Sequence, residues 1–445
     1  MGIYWFDVDG ATRMAVMRQT IKPISQPFHC KITLPGSKAL THRALLLAAL
    51  ADGVSEISGI RLTESTRTLI SALHQLGIVT QIDEKSSSCI IAGGNGKFPK
   101  KQSTVWCANS RTTARFILSA CASNPGVFYF DGGMNLRQKN LAHILHLLCR
   151  QGAQLIPNDS RHLPLTMVGA DSLQGGEVNL DEEVNSQILS ALLMISPYAR
   201  IPFSFNGLDL ANQPLINMTC ALMNEFGVLV HRYHQSQFTV PVPQRYLAKD
   251  LTIEPDFTVC AYFFAAAAAT TGSITIQPVK AITSKQSDVQ ILDILKAMGC
   301  SIQEAYNGLT VKGCTELQGI EISLCKFSAT FFALTALAPF AKSPTRITHV
   351  GAMNKKDKEQ LMAVKSEFTK LNIQIEIGDN WLKIFPSTPK GCLLNSHHNP
   401  YLAMALAIIG LRVPNVEIDN ALCVKSIFPD FFKLWGTLSK QEINV

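Results

Sequence analysis

The chain has 445 residues, 47% of them apolar and 16% charged, which is enough to bury large cores and long for a single domain. Its net charge of +7 is spread along the sequence, which suits a small anionic partner and is too scattered for a nucleic-acid surface. No apolar run reaches the roughly 20 residues of a membrane span, and the first 20 residues, with Asp7, Asp9, Arg13 and Arg18, lack the apolar stretch of a secretion signal.

Residues 1–27 read as an N-terminal extension ahead of a repeated part. One apolar helix pattern then recurs six times, over 43–49, 115–121, 187–193, 261–267, 331–337 and 401–407, so that successive copies start 70 to 74 residues apart. A helix that is apolar on every side is buried on every side. A second helix follows in at least five copies and ends at Leu76-Gly77, Gln151-Gly152, Phe226-Gly227, Met298-Gly299 and Leu371-Asn372. Gly or Asn at that place suits a left-handed C-cap. An alternating, β-branched stretch comes next, such as 78–82 or 373–377, and a further strand, such as 273–277, lies between the two helices. Each unit is therefore strand, helix, strand, helix, strand. Six units make an α/β protein of two three-unit domains. A solenoid is the alternative architecture, but its repeats usually run about 20 to 50 residues, shorter than this period.

The twelve cysteines form no CxxC pair, and most sit in apolar helix patterns, as Cys121, Cys149, Cys220 and Cys260 do. That is the pattern of free thiols in a reducing cytoplasm, not of a disulfide framework. A metal site is not expected either, because His397-His398 has no cysteine at ligand spacing.

Several ordered segments carry a resemblance. They are Leu34-Pro-Gly-Ser-Lys38, the run from Arg43 to Gly53, Asn109-Ser-Arg-Thr-Thr-Ala-Arg115, Asn185-Ser-Gln-Ile-Leu-Ser, Leu222-Met-Asn-Glu-Phe-Gly227, Pro255-Asp256 and Phe428-Pro-Asp-Phe-Phe432. Together they resemble the enolpyruvyl-transferase family, most closely its EPSP synthases (3-phosphoshikimate 1-carboxyvinyltransferases), from about residue 30 to the C-terminus. The resemblance implies a two-domain inside-out α/β barrel of six βαβαββ repeats, three per domain, with substrates bound in the interdomain cleft. Residues 28–36 with 255–445 would form one domain and 37–254 the other. It also implies a cytoplasmic, commonly monomeric transferase of the shikimate pathway and aromatic amino acid biosynthesis. Such an enzyme moves the enolpyruvyl group of phosphoenolpyruvate (PEP) to a hydroxyl of a phosphorylated acceptor such as shikimate 3-phosphate, with no metal or organic cofactor.

That chemistry needs cations for two phosphates and two carboxylates, an acid for the PEP methylene and a base for the hydroxyl. By resemblance, Lys38 touches both substrates and Arg43 holds the ring carboxylate. Ser186 and Gln187 bind the phosphate and the reacting site, with Asn185 in place of a serine. Lys356 and Asp357 match a catalytic Lys-Glu pair, and Asn109, Arg111, Arg115, Asn212 and Lys425 complete the binding set. The plain alternative for Lys38 and Arg43 is a solvated helix start, and for Lys356 and Asp357 an exposed charge run.

The PEP side departs from the family pattern. Asn135, Gln360 and Tyr401 stand at arginine positions, and Ser426 stands at a lysine position beside Lys425. Arg111 replaces a glycine, Leu215 a tyrosine, and Ala329 the aspartate often assigned as base, with no acidic residue between 325 and 337. Arg111, Lys425 and Arg137, which lies two residues from Asn135, compensate in part in this reading. Three or four lost charge-assisted contacts amount to roughly 6 kcal/mol. Two further readings therefore stand beside enolpyruvyl transfer. One is elimination of water or phosphate from a shikimate-like ring without PEP. The other is a non-catalytic family member that only binds.

Overall fold

A computed structural model describes residues 18–180, 185–207, 214–233, 237–306, 308–324, 329–350, 355–439 and 443–444. The six apolar runs are the helices Lys38–Leu50, Arg111–Ala122, Ser186–Ile195, Phe257–Thr270, Ala329–Leu337 and Pro400–Gly410. Ala329–Leu337 is buried at every position, and Phe257–Thr270 at all but Thr258 and Thr270. With about 25 cal/mol gained per Å² of apolar surface removed from water, such helices are stable only when covered on all sides. Three of their first turns are closed by polar caps. Ser110 accepts from the Thr113 N–H, Asn185 from Gln187 and Ile188, and Asn399 from Tyr401 and Leu402.

The strands form six sheets with a recurring order. Gln102–Trp106 runs parallel to Gly126–Asp131, which is antiparallel to Leu165–Gly169, which is antiparallel to Gln154–Ile156. Gly176–Asn179, Phe203–Asn206, Gln237–Val240 and His231–Tyr233 repeat that order. So do Glu321–Ser323, Thr345–Thr348, Trp381–Ile384 and Ile375–Ile377. Two other sheets are completed by an exchange of strands. His29–Thr33, which precedes the Lys38–Leu50 helix, pairs with Ser273–Gln277, whereas Leu251–Thr252, which precedes the Phe257–Thr270 helix, pairs with Asp52–Ser58. In the sixth sheet Val416–Asp419 lies between Leu393–Asn395 and Gln19–Ile21. The expected extension over 1–27 therefore contributes a strand. Its anchor is Ile21, which packs so tightly on Gly410 that a Cβ there would meet Ile21 Cβ at 2.6 Å.

The chain divides into two compact units, Met1–Leu34 with Phe257–Ile282 and Asp288–Val445, and Pro35–Asp256 with Thr283–Ser287. Residues 283–287, expected with 255–445, belong to the other unit for a polar reason. The Lys285 N–H donates to Glu254 Oε1 at 3.0 Å, Gln286 Nε2 donates to the Pro255 carbonyl at 2.8 Å, and Lys285 Nζ lies 3.4 Å from Glu225. Among the described residues no helix is long and apolar enough to cross a membrane.

The two segments at the strand exchange are bonded to each other. Ser37 N–H donates to the Glu254 carbonyl at 2.9 Å, Asp256 N–H donates to the Pro35 carbonyl at 3.0 Å, and Gly36 bridges Pro255. A Cβ on Gly36 would lie 2.0 Å from the Gly59 carbonyl oxygen, a backbone atom that cannot swing aside. Gly36→Ala is therefore expected to destabilise the fold by about 1–3 kcal/mol, read as a lower urea midpoint. An unchanged midpoint would show that the pairing has slack.

Candidate functional site

Helices without a polar face leave polarity only at their ends. Lys38 opens its helix half-buried. Burial lowers its pKa, the nearby Arg61 lowers it further, and Asp256 and Glu64 pull it back up. Arg61 Nη1 bonds Asp256 Oδ2 at 2.8 Å in a pair whose side chains are 5% and 10% exposed. Arg61 Nη2 is buried and has no hydrogen-bond partner.

One turn along, His42 Nδ1 lies 2.8 Å from the Lys38 carbonyl and Nε2 lies 2.9 Å from Ser65 Oγ. A carbonyl only accepts, so Nδ1 carries the proton and Nε2 accepts from the serine. Burial drives the His42 pKa down to about 4, so the ring is neutral. Ser65 Oγ in turn lies 2.5 Å from Ser110 Oγ, the cap of the Arg111–Ala122 helix. One polar chain thus joins the starts of three helices, at Lys38, Glu64 and Arg111.

The same end of this unit holds Arg111, which is exposed, and Arg115 one turn later. Arg115 Nη1 donates to Gln187 Oε1, and its buried Nε has no partner. Burial and the neighbouring Arg111 both lower the Arg115 pKa, as two cations side by side require. Asn185 Oδ1 caps the next helix by accepting from Gln187 and Ile188 at 3.0 and 3.2 Å. Ser186 sits half-buried on its first turn, and Asn109 is exposed just ahead of Ser110. Lys38, Arg111, Arg115, Ser186 and Gln187 are therefore all first-turn or second-turn residues of buried helices in one unit, and Asn185 is the cap of one of them.

Arg43 behaves differently. It is 2% exposed, which excludes a solvated helix start. Nε donates to Thr219 Oγ1 at 2.7 Å, Nη2 to Ser190 Oγ at 3.0 Å and the Leu215 carbonyl at 3.4 Å, and Nη1 to the Ala39 carbonyl at 3.0 Å. The guanidinium also lies over the Phe116 ring, 5.7 Å from its centroid. Burial lowers its pKa to about 10. A substrate carboxylate would have to compete with four protein oxygens for this arginine.

Arg137 does not stand in for Asn135. It is engaged with Asp131 through Nε–Oδ1 at 2.9 Å and Nη2–Oδ2 at 2.6 Å, and that bond holds the Asp131 carboxyl below its ordinary pKa. In the other unit Tyr401 stacks on Phe332 at 5.9 Å, Gln360 is half-buried, and Lys425 and Ser426 are exposed in a 3-10 turn. Lys356 and Asp357 lie on the first turn of Lys355–Lys370, but their side chains, like Asn212 as a whole, lie outside the described residues. His397 bonds the fully buried Glu367 at 2.9 Å, which also accepts from Lys370 and the Asn395 N–H. Among the described residues no group of three or more His, Cys, Asp or Glu is placed to hold a metal.

Sequence reasoning missed Asp288. Ala329 is buried, and its neighbour Thr330 donates through Oγ1 to Asp288 Oδ1 at 3.0 Å, while Thr258 Oγ1 donates to Oδ2 at 2.9 Å. A carboxylate does reach the start of the Ala329–Leu337 helix, from 42 residues away in sequence. The signal that could have found it is an aspartate facing two helix starts that carry threonine.

The family model for EPSP synthase (3-phosphoshikimate 1-carboxyvinyltransferase) matches residues 23–435. The chain belongs to the EPSP synthase family. It is 36% identical over 424 residues to the 3-phosphoshikimate 1-carboxyvinyltransferase of Nostoc punctiforme, covering 95% of this chain and 99% of that protein. It is 31% identical to 3-phosphoshikimate 1-carboxyvinyltransferase 2 of Halalkalibacterium halodurans, over 94% of each. Its fold matches EPSP synthase from Acinetobacter baumannii with a TM-score of 0.81 at 19% identity, over 95% of this chain and 98% of that one. The fold is thus the two-domain α/β fold of that family.

Neutral, buried His42 makes the helix junction sensitive to acid. The unfolded chain takes up the proton at an ordinary pKa of 6.5 and the folded chain only at about 4. The stabilisation is therefore complete above pH 6.5 and is lost as the pH falls to 4, on the order of 3 kcal/mol in all. In denaturation series across that window, His42→Gln should flatten the dependence; an equally steep slope in the variant would assign it to other groups.

Proposed function

We propose that the chain transfers the enolpyruvyl group of PEP to a hydroxyl of shikimate 3-phosphate, with release of phosphate. The observation that carries this reading is the polar chain Lys38, His42, Ser65 and Ser110, with the separate Arg115–Gln187 bond, at the starts of otherwise apolar helices. Helix N-termini with cations beside them are suited to anionic oxygens. Lys38, Arg111, Arg115, Ser186 and Gln187 hold the substrate anions in this proposal, with Asn185 fixing the Ser186 turn. Asn109, Asn212 and Lys425 add donors, and Lys356 and Asp357 share proton transfer with Lys38, on the strength of their positions in the family pattern. Arg43 acts from below, as the tie that holds three helices together.

The same proposal extends to architecture. The recurring sheet order supports six βαβαββ units, three per domain, in an inside-out barrel, with the exchange of first strands marking the domain limits. Monomeric, cytoplasmic work on small anions without a cofactor is the corresponding reading, supported by family membership and by the free thiols among the described cysteines.

A second reading, elimination of water or phosphate from the ring acceptor alone, is favoured by Arg137 being bound to Asp131 and by Tyr401 stacking on Phe332 where a cation was expected. The two separate in one assay. Incubation with PEP plus shikimate 3-phosphate should release phosphate and form an enolpyruvyl ether, and the ring substrate alone should stay intact. Consumption of the ring substrate without PEP would select elimination. In the active enzyme the side chain of Arg111 fills space that glycine leaves open, so glyphosate, a PEP mimic, should not inhibit at micromolar concentration; inhibition there would contradict the placement of Arg111.

A further inference from the structure

Among the described residues Lys38 makes no ion pair, although a carboxylate lies close to it. Four charged or titratable groups act on this lysine or feel it. Arg61 repels it, Asp256 attracts it, Glu64 attracts it less, and His42, on its own helix, is neutral. Backbone bonds from the Asp256 N–H to the Pro35 carbonyl at 3.0 Å and from the Ser37 N–H to the Glu254 carbonyl at 2.9 Å bring Asp256 to the start of the Lys38 helix, and make it the carboxylate placed to take the ammonium. It is instead bound to Arg61 at 2.8 Å, in a pair withdrawn from water where charge-assisted bonds are strong.

Both partners are pinned to the start of the Lys38 helix. The Arg61 N–H donates to Thr41 Oγ1 at 3.2 Å, and Thr41 Oγ1 donates to the Ser37 carbonyl at 2.8 Å. The Arg61 carbonyl accepts from Thr66 Oγ1 at 2.6 Å, and the Asp256 N–H donates to the Pro35 carbonyl at 3.0 Å. Arg61 Nη2 has no acceptor, so the Nη1 bond to Asp256 is what holds this guanidinium in place. We infer that Arg61 is a positioning residue for Lys38: by engaging Asp256 it denies Lys38 the neighbouring carboxylate and keeps the ammonium free for a phosphoryl or carboxylate oxygen of the substrate. The role rests on Lys38 meeting substrate, as proposed above. Its test needs no turnover, so a failure here and a failure of enolpyruvyl transfer are read separately.

The test follows acylation of Lys38 by a soluble amine-reactive ester in the full chain, read by peptide mass spectrometry, with inorganic phosphate and shikimate 3-phosphate as protecting anions. In Arg61→Met, Asp256 captures Lys38, so acylation at pH 8 slows and protection by either anion weakens about tenfold, the size of one charge-assisted contact. Arg61→Gln, which keeps a hydrogen bond but no charge, should move the same way if Arg61→Met does not fold. Arg61→Lys should stay close to the parent. The double variant Arg61→Met/Asp256→Asn should recover both readouts, which a merely structural role of the pair would not allow. Parent-like acylation in Arg61→Met or Arg61→Gln, or a double variant as slow as the single, would overturn the inference.

Discussion

Six helices with no polar face set the terms for everything else in this molecule. A helix such as Ala329–Leu337, buried at all its positions, needs neighbours on every side. In one unit Phe257–Thr270, Ala329–Leu337 and Pro400–Gly410 pack against each other, and sheets cover what remains. In the other, Arg111–Ala122 packs on Lys38–Leu50 and on Ser186–Ile195, with Pro214–Glu225 joining them. Arg43 brings charge into that second core. It is tolerated because Thr219, Ser190 and two carbonyls solvate it in place of water.

Function follows from the same constraint. If the helix bodies are apolar, reactive groups collect at the first turns, where unpaired N–H groups and the positive end of the helix dipole already favour anions. The hydroxyl chain from Lys38 through His42 and Ser65 to Ser110 locks three such turns to one another. It uses a neutral histidine, so the lock adds no positive charge to a region that already holds Lys38, Arg61, Arg111 and Arg115. The departures from the family pattern lie mostly elsewhere, at Ala329, Gln360, Tyr401 and Ser426 in the other unit. These substituted positions and the helix starts that carry Lys38, Arg115 and Ser186 thus fall in different units.

What could be read from the sequence was what is periodic or local. The recurrence at 43, 115, 187, 261, 331 and 401 needs only runs of apolar residues, and all six became buried helices. Lys38 was legible as the start of a buried helix because Pro-Gly-Ser-Lys precedes an apolar run. Pairings across long separations were not legible. Arg61 and Asp256 are 195 residues apart, Arg43 and Thr219 176 apart, and neither pair has a local pattern to announce it. The strand Gln19–Ile21 is too short for a periodic signal, and residues 283–287 change units through polar contacts such as Lys285 with Glu254 and Gln286 with Pro255. The Arg137–Asp131 pair, six residues apart, is by contrast local enough to be legible in the sequence.

The central claim is that substrate anions are held at the first turns of the buried helices in the unit that carries Lys38. Hydrogen–deuterium exchange of the full chain with and without shikimate 3-phosphate tests it most directly. Slower exchange confined to the amides that open Lys38–Leu50, Arg111–Ala122 and Ser186–Ile195 is the predicted result. Saturating ligand that leaves those amides unchanged, or protects other segments instead, would contradict the account.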